Sequence, residues 1–450
     1  MTPGMTRYSR FLITGAVLMA APLGAQGTPV GPDEARPISL REAIEQAQRN
    51  SPAAVQARGA ERNAAAARRA AYGAFIPTLN LSAGSNRTQG VQFFQGEFVP
   101  LRGDAWDYSN GIRASLQLFD GGRRFSELNT ARIAADVADL QMLTARFDAS
   151  LQVKQQYYAA LAAREAESAA RTQLEQAEQQ LKASTARVSA GVATKSDSLR
   201  SAIQVGNAQL AVLTAQNDLR VANAALTRII GSDIVVTAAP SDTMLSATGP
   251  LPLDAEVEAM ISQGPAVRLA EANVSSARAS KKAQRASYLP TLTMNYNYST
   301  NQSSNSFQGG NLFLIGGQNP NRQTVQFSFG YNIFDGFSRE QQSVSADVSL
   351  RNAEAQLRDA RLAARQNYTS LLRTIANAQA RIDVQQAAIA AAEEDLRVQQ
   401  QRYQLGASTL LDLLTSQTQL NQARQTLIQA RFDLRVARAQ LESLIGRELQ

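Results

Sequence analysis

Hydrophobic positions recur along this chain with two different periods. Leu413, Leu420, Leu427, Leu434 and Leu441 fall every seven residues, and three places after four of them stand Ala423, Ala430, Ala437 and Leu444. Earlier, Val205, Val212, Leu219 and Leu226 keep the same step, with Ala208, Ala215, Ala222 and Ile229. A strict heptad seam predicts left-handed coiled-coil packing, and alanine at every second seam position predicts close helix approach. Elsewhere the period is two. Leu79, Leu81 and Ala83 alternate with polar residues, as do Ile112, Ala114, Leu116 and Leu118. Leu292, Met294, Tyr296 and Tyr298 follow the same rule, and so do Val325, Phe327, Phe329, Tyr331 and Ile333. These are four strands of roughly 9–11 residues, the length of a tilted strand crossing a bilayer.

The second half of the chain copies the first. SLQLFDGG at Ser115–Gly122 matches GYNIFDGF at Gly330–Phe337, RVSAGVATKSDSL at Arg187–Leu199 matches RYQLGASTLLDLL at Arg402–Leu414, and LTRIIG at Leu226–Gly231 matches LESLIG at Leu441–Gly446. AFIPTLNLSAG at Ala74–Gly84 matches SYLPTLTMNYN at Ser287–Asn297. Tyr157 and Tyr158 break the correspondence, since the nearest tyrosine, Tyr368, is a helical turn out of step. Each repeat reads as an Ala-rich helix ending at a proline, two strands around a polar loop, then two long helices. Phe125–Val188 contains neither Pro nor Gly, and its 64 residues would extend roughly 96 Å as one helix. Phe337–Gln404 is a similar stretch, and such lengths suit a tube or rod.

The chain has no Cys and no His, which removes thiol nucleophiles, most zinc sites and imidazole acid–base chemistry. No phosphate loop, nucleophile elbow or metal cluster is present, so neither an enzyme nor a cofactor is expected. Arg7 and Arg10 precede the apolar run FLITGAVLMAAPL, the pattern of a secretory signal peptide over residues 1–25. Its removal takes the net charge from +7 to +5 (43 Lys+Arg against 38 Asp+Glu), too mild to argue for nucleic acid. No later run is apolar enough for a spanning helix, so membrane insertion would use the strands. Four strands cannot close a barrel, and open edges are not tolerated in lipid, so several chains must share one.

In order, the signal peptide, the tandem repeats, the Pro-Thr-Leu entries, the Phe-Asp-Gly exits and the Ala/Gln/Leu helices around a Gly turn resemble the TolC family of outer-membrane efflux proteins. The resemblance covers roughly Pro37 to Gly446. It implies an α+β membrane protein: a homotrimeric twelve-stranded β-barrel in the outer membrane, continued by an α-helical tunnel across the periplasm. It also implies a periplasmic adaptor and an inner-membrane transporter at the tunnel's lower end. The expected organisation is a first repeat at 26–231, with a strand hairpin about 76–119 and a helical hairpin about 123–230. A linker at 232–253 lies in a belt around the tube. The second repeat, 254–450, has its strand hairpin about 289–334 and its helical hairpin about 337–445.

The turn residues have two readings. Thr194/Asp197 and Thr409/Asp412 form capping boxes, and Gly191 and Gly406 supply left-handed helix ends. By resemblance, Asp197 and Asp412 also line the periplasmic entrance, where a threefold ring of carboxylates favours cations. Tyr403 packs in the seam, or matches an entrance-gating tyrosine. Relatives carry a basic residue at the position of Ser408, so a charge lock is in doubt, with Lys195 a substitute at best. The tips Val192–Ala193 and Ala407–Ser408 are the expected adaptor contacts. Pro77 and Pro290 mark the helix-to-strand junctions, and Asp120–Gly121 and Asp335–Gly336 the strand exits and helix caps. Phe93, Phe94, Phe98, Trp106 and Tyr108 suit an interfacial girdle or a loop lid. The leading reading is a passive export duct serving an efflux pump or type I secretion system. The alternative is a soluble periplasmic coiled-coil scaffold, which has no need of lipid-length strands.

Overall fold

The computed structural model describes residues 35–87, 91–94, 96–100, 106–240, 259–303 and 321–448. The signal segment and most of the linker lie outside them.

Two helices, α1 (Leu40–Asn50) and α2 (Pro52–Gly73), meet at Ser51, whose hydroxyl caps α2 ahead of a proline in its first turn. Strands β2 (Thr78–Arg87) and β5 (Trp106–Phe119) follow, and then α3 (Arg123–Ser189) and α4 (Lys195–Ile230). The second repeat runs α5 (Pro265–Gln284), β7 (Thr291–Ser303), β8 (Asn321–Gly330), α6 (Ser338–Gln404) and α7 (Leu410–Ile445). Two short strands, β1 (Arg36–Ile38) and β6 (Val236–Ala238), pair in parallel. A small hairpin, β3 (Val91–Phe94) and β4 (Glu97–Pro100), occupies the segment read as a plain loop, setting Phe93 opposite Phe98.

The four long strands form one antiparallel sheet in the order β2-β5-β7-β8. The helices line up in the same order. In the half nearer the sheet α2 packs on α3, α3 on α5 and α5 on α6; in the far half α4 packs on α3, α3 on α7 and α7 on α6. Each strand therefore continues a helix of one wall, with α3 and α6 running its whole length. The heptad seams lie inside the helix pairs. Leu413, Leu420, Leu434, Leu441, Ala430 and Ala437 are buried, as are Val212, Leu226 and Ala208.

The second strand hairpin ends earlier than its alternation predicts. Register pairs Thr291 with Gly330, so Tyr331 would face Pro290, which has no amide proton to continue the ladder. Tyr331, Ile333 and Phe334 are left exposed beyond the strand. β5 runs on to Phe119 because it has a second partner, β7, through a register shift at Gln117/Phe119. Pro77 follows the end of α2 and precedes β2. Before Pro290, residues Arg285–Tyr288 form a 3-10 turn and Leu289 alone becomes extended.

The repeats differ at the waist. The Tyr157 hydroxyl donates to the Ile38 carbonyl and accepts from the Ala239 amide, both at 3.0 Å, so it closes the ends of β1 and β6. Arg164 adds bonds to the Ala238 carbonyl and the Thr237 hydroxyl. Tyr368 instead packs in an apolar cluster with Ile261, Val267, Ala437 and Leu441. Tyr157 thus faces a strand pair, and Tyr368 stands a helical turn away from the matching place. Nearby, Lys154 of α3 forms an ion pair with Glu442 of α7, their side chains 11% and 13% exposed.

Candidate functional site

Both helical hairpins close with the same geometry at the end farthest from the sheet. At the first, Gly191 adopts φ +76°, its amide bonds the Val188 carbonyl, and the Val192 amide reaches the Arg187 carbonyl at 3.0 Å. At the second, Gly406 has φ +73° and the Ala407 amide reaches the Arg402 carbonyl at 2.8 Å. The next helix starts at once. Asp197 accepts from the Thr194 amide and hydroxyl at 3.1 and 2.8 Å, and its own amide donates to the Thr194 hydroxyl. Asp412 and Thr409 repeat this at 2.9 and 2.7 Å. These bonds satisfy amides that helix starts leave open, and they place a carboxylate on the stabilising side of the helix dipole. The Thr409 hydroxyl first, then the Thr409 amide and the charge of Arg402, hold the Asp412 carboxyl below the usual carboxylate range.

The two tips are tied together by a residue whose role the sequence did not suggest. Arg187 of the first hairpin donates to the Tyr403 carbonyl at 2.9 Å and lays its guanidinium over the Tyr403 ring, 4.7 Å from the centroid. Tyr403 is buried with Leu396, Leu410, Leu413 and Leu420. Burial above all raises its phenol pKa; Arg187 pulls it back and the charge of Asp197 raises it further. Among the described residues no ion pair reaches Lys195 or Ser408. The only hint of Arg187 was its place four residues before the turn glycine in both repeats; its counterpart Arg402 turns instead to the Ala407 carbonyl. A cation over a buried ring couples by about 1–2 kcal/mol. A double-mutant cycle of Arg187→Ala and Tyr403→Leu, read by urea unfolding, should return a coupling of that size. Additive effects would mean the contact carries no energy.

The Val192–Ala193 and Ala407–Ser408 tips stand at the surface, with Val192 64% exposed. At the opposite end of the long helices, the strand exits differ from simple caps. The N-cap positions are Gly122 and Phe337, both left-handed and without side-chain cap bonds. Asp120 does the capping from two residues further out, accepting from the Gly122 and Arg124 amides and from Arg124 Nε. Asp335 likewise accepts from the Arg339 amide and Nε. Gly121 is needed at φ +68°, because a Cβ there would lie 2.6 Å from Leu289 Cβ and 2.7 Å from the Ala286 carbonyl, whereas Gly336 faces open space. Phe93 and Trp106 are exposed near the far end of the sheet. Among the described residues no group of side chains could hold a metal ion, and no helix is long and apolar enough to cross a membrane.

The model of the outer membrane efflux protein family matches residues 43–232 and 257–447, one segment for each repeat. The chain belongs to that family. It is 28% identical to Protein CyaE of Bordetella pertussis over 365 residues, covering 76% of this chain and 70% of that protein. To the outer membrane protein TolC of Escherichia coli it is 25% identical over 347 residues, covering 75% and 70%. Among solved structures, CusC superposes with a TM-score of 0.77 at 19% identity, over 91% of this chain and 92% of that one. The open-state MtrE channel of Neisseria gonorrhoeae gives 0.74 at 21%, over 91% and 89%. The chain is thus an export channel of the outer membrane with its helical part in the periplasm, and the family's members are ducts rather than enzymes.

Proposed function

We propose that three copies of this chain close edge to edge into a twelve-stranded barrel and a helical tunnel, a passive duct in which cargo crosses the periplasm and outer membrane together. The observation that carries the reading is the matched pair of open edges. The sheet ends in β2 on one side and β8 on the other. The wall of helices ends in α2 and α4 on the first side and α6 on the second. Both helical edges bear exposed apolar stripes. On α6, Val344, Val348, Leu362, Val384 and Val398 fall within an arc of about 40° at 100° per residue. On α4, Leu199, Ile203, Leu210, Leu213 and Val221 fall within about 80°. A head-to-tail contact between unlike edges forms a ring when the rotation closes. The β5–β7 pairing inside the chain is the template: the same register between β8 and the next copy's β2 would give Tyr331 to Phe334 the partners they lack.

A soluble scaffold would leave the apolar sheet face, with Leu79 72%, Leu81 80% and Phe329 72% exposed, in water. In a bilayer that face meets lipid and the polar face turns inward. A periplasmic adaptor would meet the ring of tips, where Gly191, Val192, Ala193, Gly406, Ala407 and Ser408 allow close approach, and energy would come from an inner-membrane transporter. Membership of the outer membrane efflux protein family supports partners of this kind.

Native mass spectrometry of detergent-extracted protein should return the mass of three chains; a monodisperse monomer would overturn the reading. Single-channel recordings test the mouth. If Asp197 and Asp412 line it, Asp412→Asn should reduce cation selectivity and weaken block by hexaamminecobalt added on the tip side. Fold should survive, because the Thr409 hydroxyl still caps the Asp412 amide. The depressed pKa of Asp412 also sets a pH window. Its carboxylate stays charged as pH falls to the ordinary aspartate value of about 3.9, so its share of the block should persist there and disappear only in stronger acid. Unchanged selectivity in Asp197→Asn/Asp412→Asn would leave both residues as caps alone.

A further inference from the structure

The polar face of the sheet is almost uncharged, and its few charges are unbalanced. Register assigns the faces. Asn80, Arg113, Asn297 and Thr324 stand in one cross-strand row, and Ser82, Gly111, Ser299 and Arg322 in the row two residues along. Alternate residues of the same strands, including Leu79, Leu81, Ile112, Leu116, Met294, Phe327 and Phe329, make up the apolar face. Other positions of the polar face are Ser, Thr, Asn, Gln or Gly, with Asp107 the one acid, at the loop end of β5. Arg113 and Arg322 differ in level by two residues, roughly 7 Å along the strands, and stand two strands apart, roughly 10 Å across. Both are exposed, and among the described residues neither has an ion pair or hydrogen bond. Arg123, at the foot of the sheet, differs: it is paired with Glu127 at 3.5 Å and donates to Gln117. Arg113 and Arg322 are not structural charges within the described residues, because none of those residues pairs with them.

We propose that these two arginines form a cationic girdle inside the barrel, and that the duct's outer half selects for anionic cargo, molecules bearing carboxylate, sulfonate or phosphate groups. The inference rests on the trimeric reading above. Threefold closure brings six guanidinium groups into one lumen. Rings of arginine or lysine in a pore favour anions, and guanidinium keeps its charge at any working pH while offering a planar fork to carboxylate and phosphate. The sign is opposite to that of the mouth, so the two stations would act in series: carboxylates at the periplasmic entrance and guanidinium groups at the exit. A net selectivity measured on the whole pore would mix them, and the test must address each from its own side.

Purified trimer in a planar bilayer, with a KCl gradient and hexametaphosphate added on the side of the strand loops, gives the first readout. The wild-type channel should be blocked by the polyanion from that side. In Arg113→Gln/Arg322→Gln the block should weaken at least tenfold, and the chloride-to-potassium permeability ratio should fall at least threefold. Arg113→Lys/Arg322→Lys should keep the permeability ratio, since the charge remains. Absence of polyanion block in the wild type overturns the girdle even if the glutamine variant fails to insert. So does a glutamine variant that conducts with block and permeability ratio unchanged. Native mass and unitary conductance of the wild type are read beforehand. A monomeric, non-conducting protein defeats the duct itself, whereas a conducting trimer indifferent to these substitutions defeats only the girdle.

Discussion

Gly121→Val should leave little folded chain to extract from membranes. Its φ of +68° strains any L side chain, and its Cβ would sit 2.6 Å from Leu289 Cβ and 2.7 Å from the Ala286 carbonyl. The strain alone costs roughly 1–2 kcal/mol, and the overlap involves backbone that cannot move without breaking the β5–β7 ladder. Gly336→Val at the matching place is the informative comparison. It bears the same backbone strain at φ +65° but meets nothing within 4 Å in the chain. If β8 docks on the next copy as β5 docks on β7, the position equivalent to Leu289 is Ile76 of that copy. Gly336→Val should then yield chains with native helix content by circular dichroism that stay monomeric in detergent. Equal trimer yields for the two variants and the wild type would mean that neither glycine marks a close approach.

The second large effect is expected at the waist. Lys154→Ala leaves Glu442 with its charge in a site where its side chain is 13% exposed. Removing one partner of a buried pair costs about 3 kcal/mol or somewhat more. The penalty falls on a contact joining the two repeats, and in the proposed trimer three copies would add it. Thermal denaturation followed by the loss of trimer on gels should show a large drop for Lys154→Ala. Lys154→Met/Glu442→Met should recover most of it, because an apolar pair of similar volume replaces the ion pair. Equal losses in both variants would assign the effect to packing rather than to charge.

How far the sequence carried depends on the range of each interaction. The capping boxes at Thr194/Asp197 and Thr409/Asp412 each span four residues, and the same four residues signal them. The long helices were visible in the absence of Pro and Gly, and the strands in alternation over one segment. Contacts between distant segments left no such trace. Tyr157 to Ile38, Lys154 to Glu442 and Arg187 to Tyr403 join residues far apart in the chain, and each end looks ordinary alone: a helical tyrosine, a lysine, an arginine near a turn. The same holds for Gly121, whose need for a bare Cα comes from a neighbour in the other repeat. The early end of β8 was in principle readable, since Pro290 is printed in the sequence, but only once register set it opposite Tyr331.

The two long helices α3 and α6 have 67 residues each, and their returning partners α4 and α7 have 36 each. Equal lengths make the two hairpins a matched pair of rulers, so that both tips reach the same depth. Length here is under joint control. Adding one heptad to α3 and one to α4 would push the first tip out by about 10 Å and leave the second behind, giving a mouth that is crenellated instead of flush. The same heptad added to all four helices would keep the seams in phase and move the whole rim as one plane. Such a lengthened protein would be a gauge for the width of the space the tunnel crosses: it should serve only cells whose two membranes stand correspondingly farther apart.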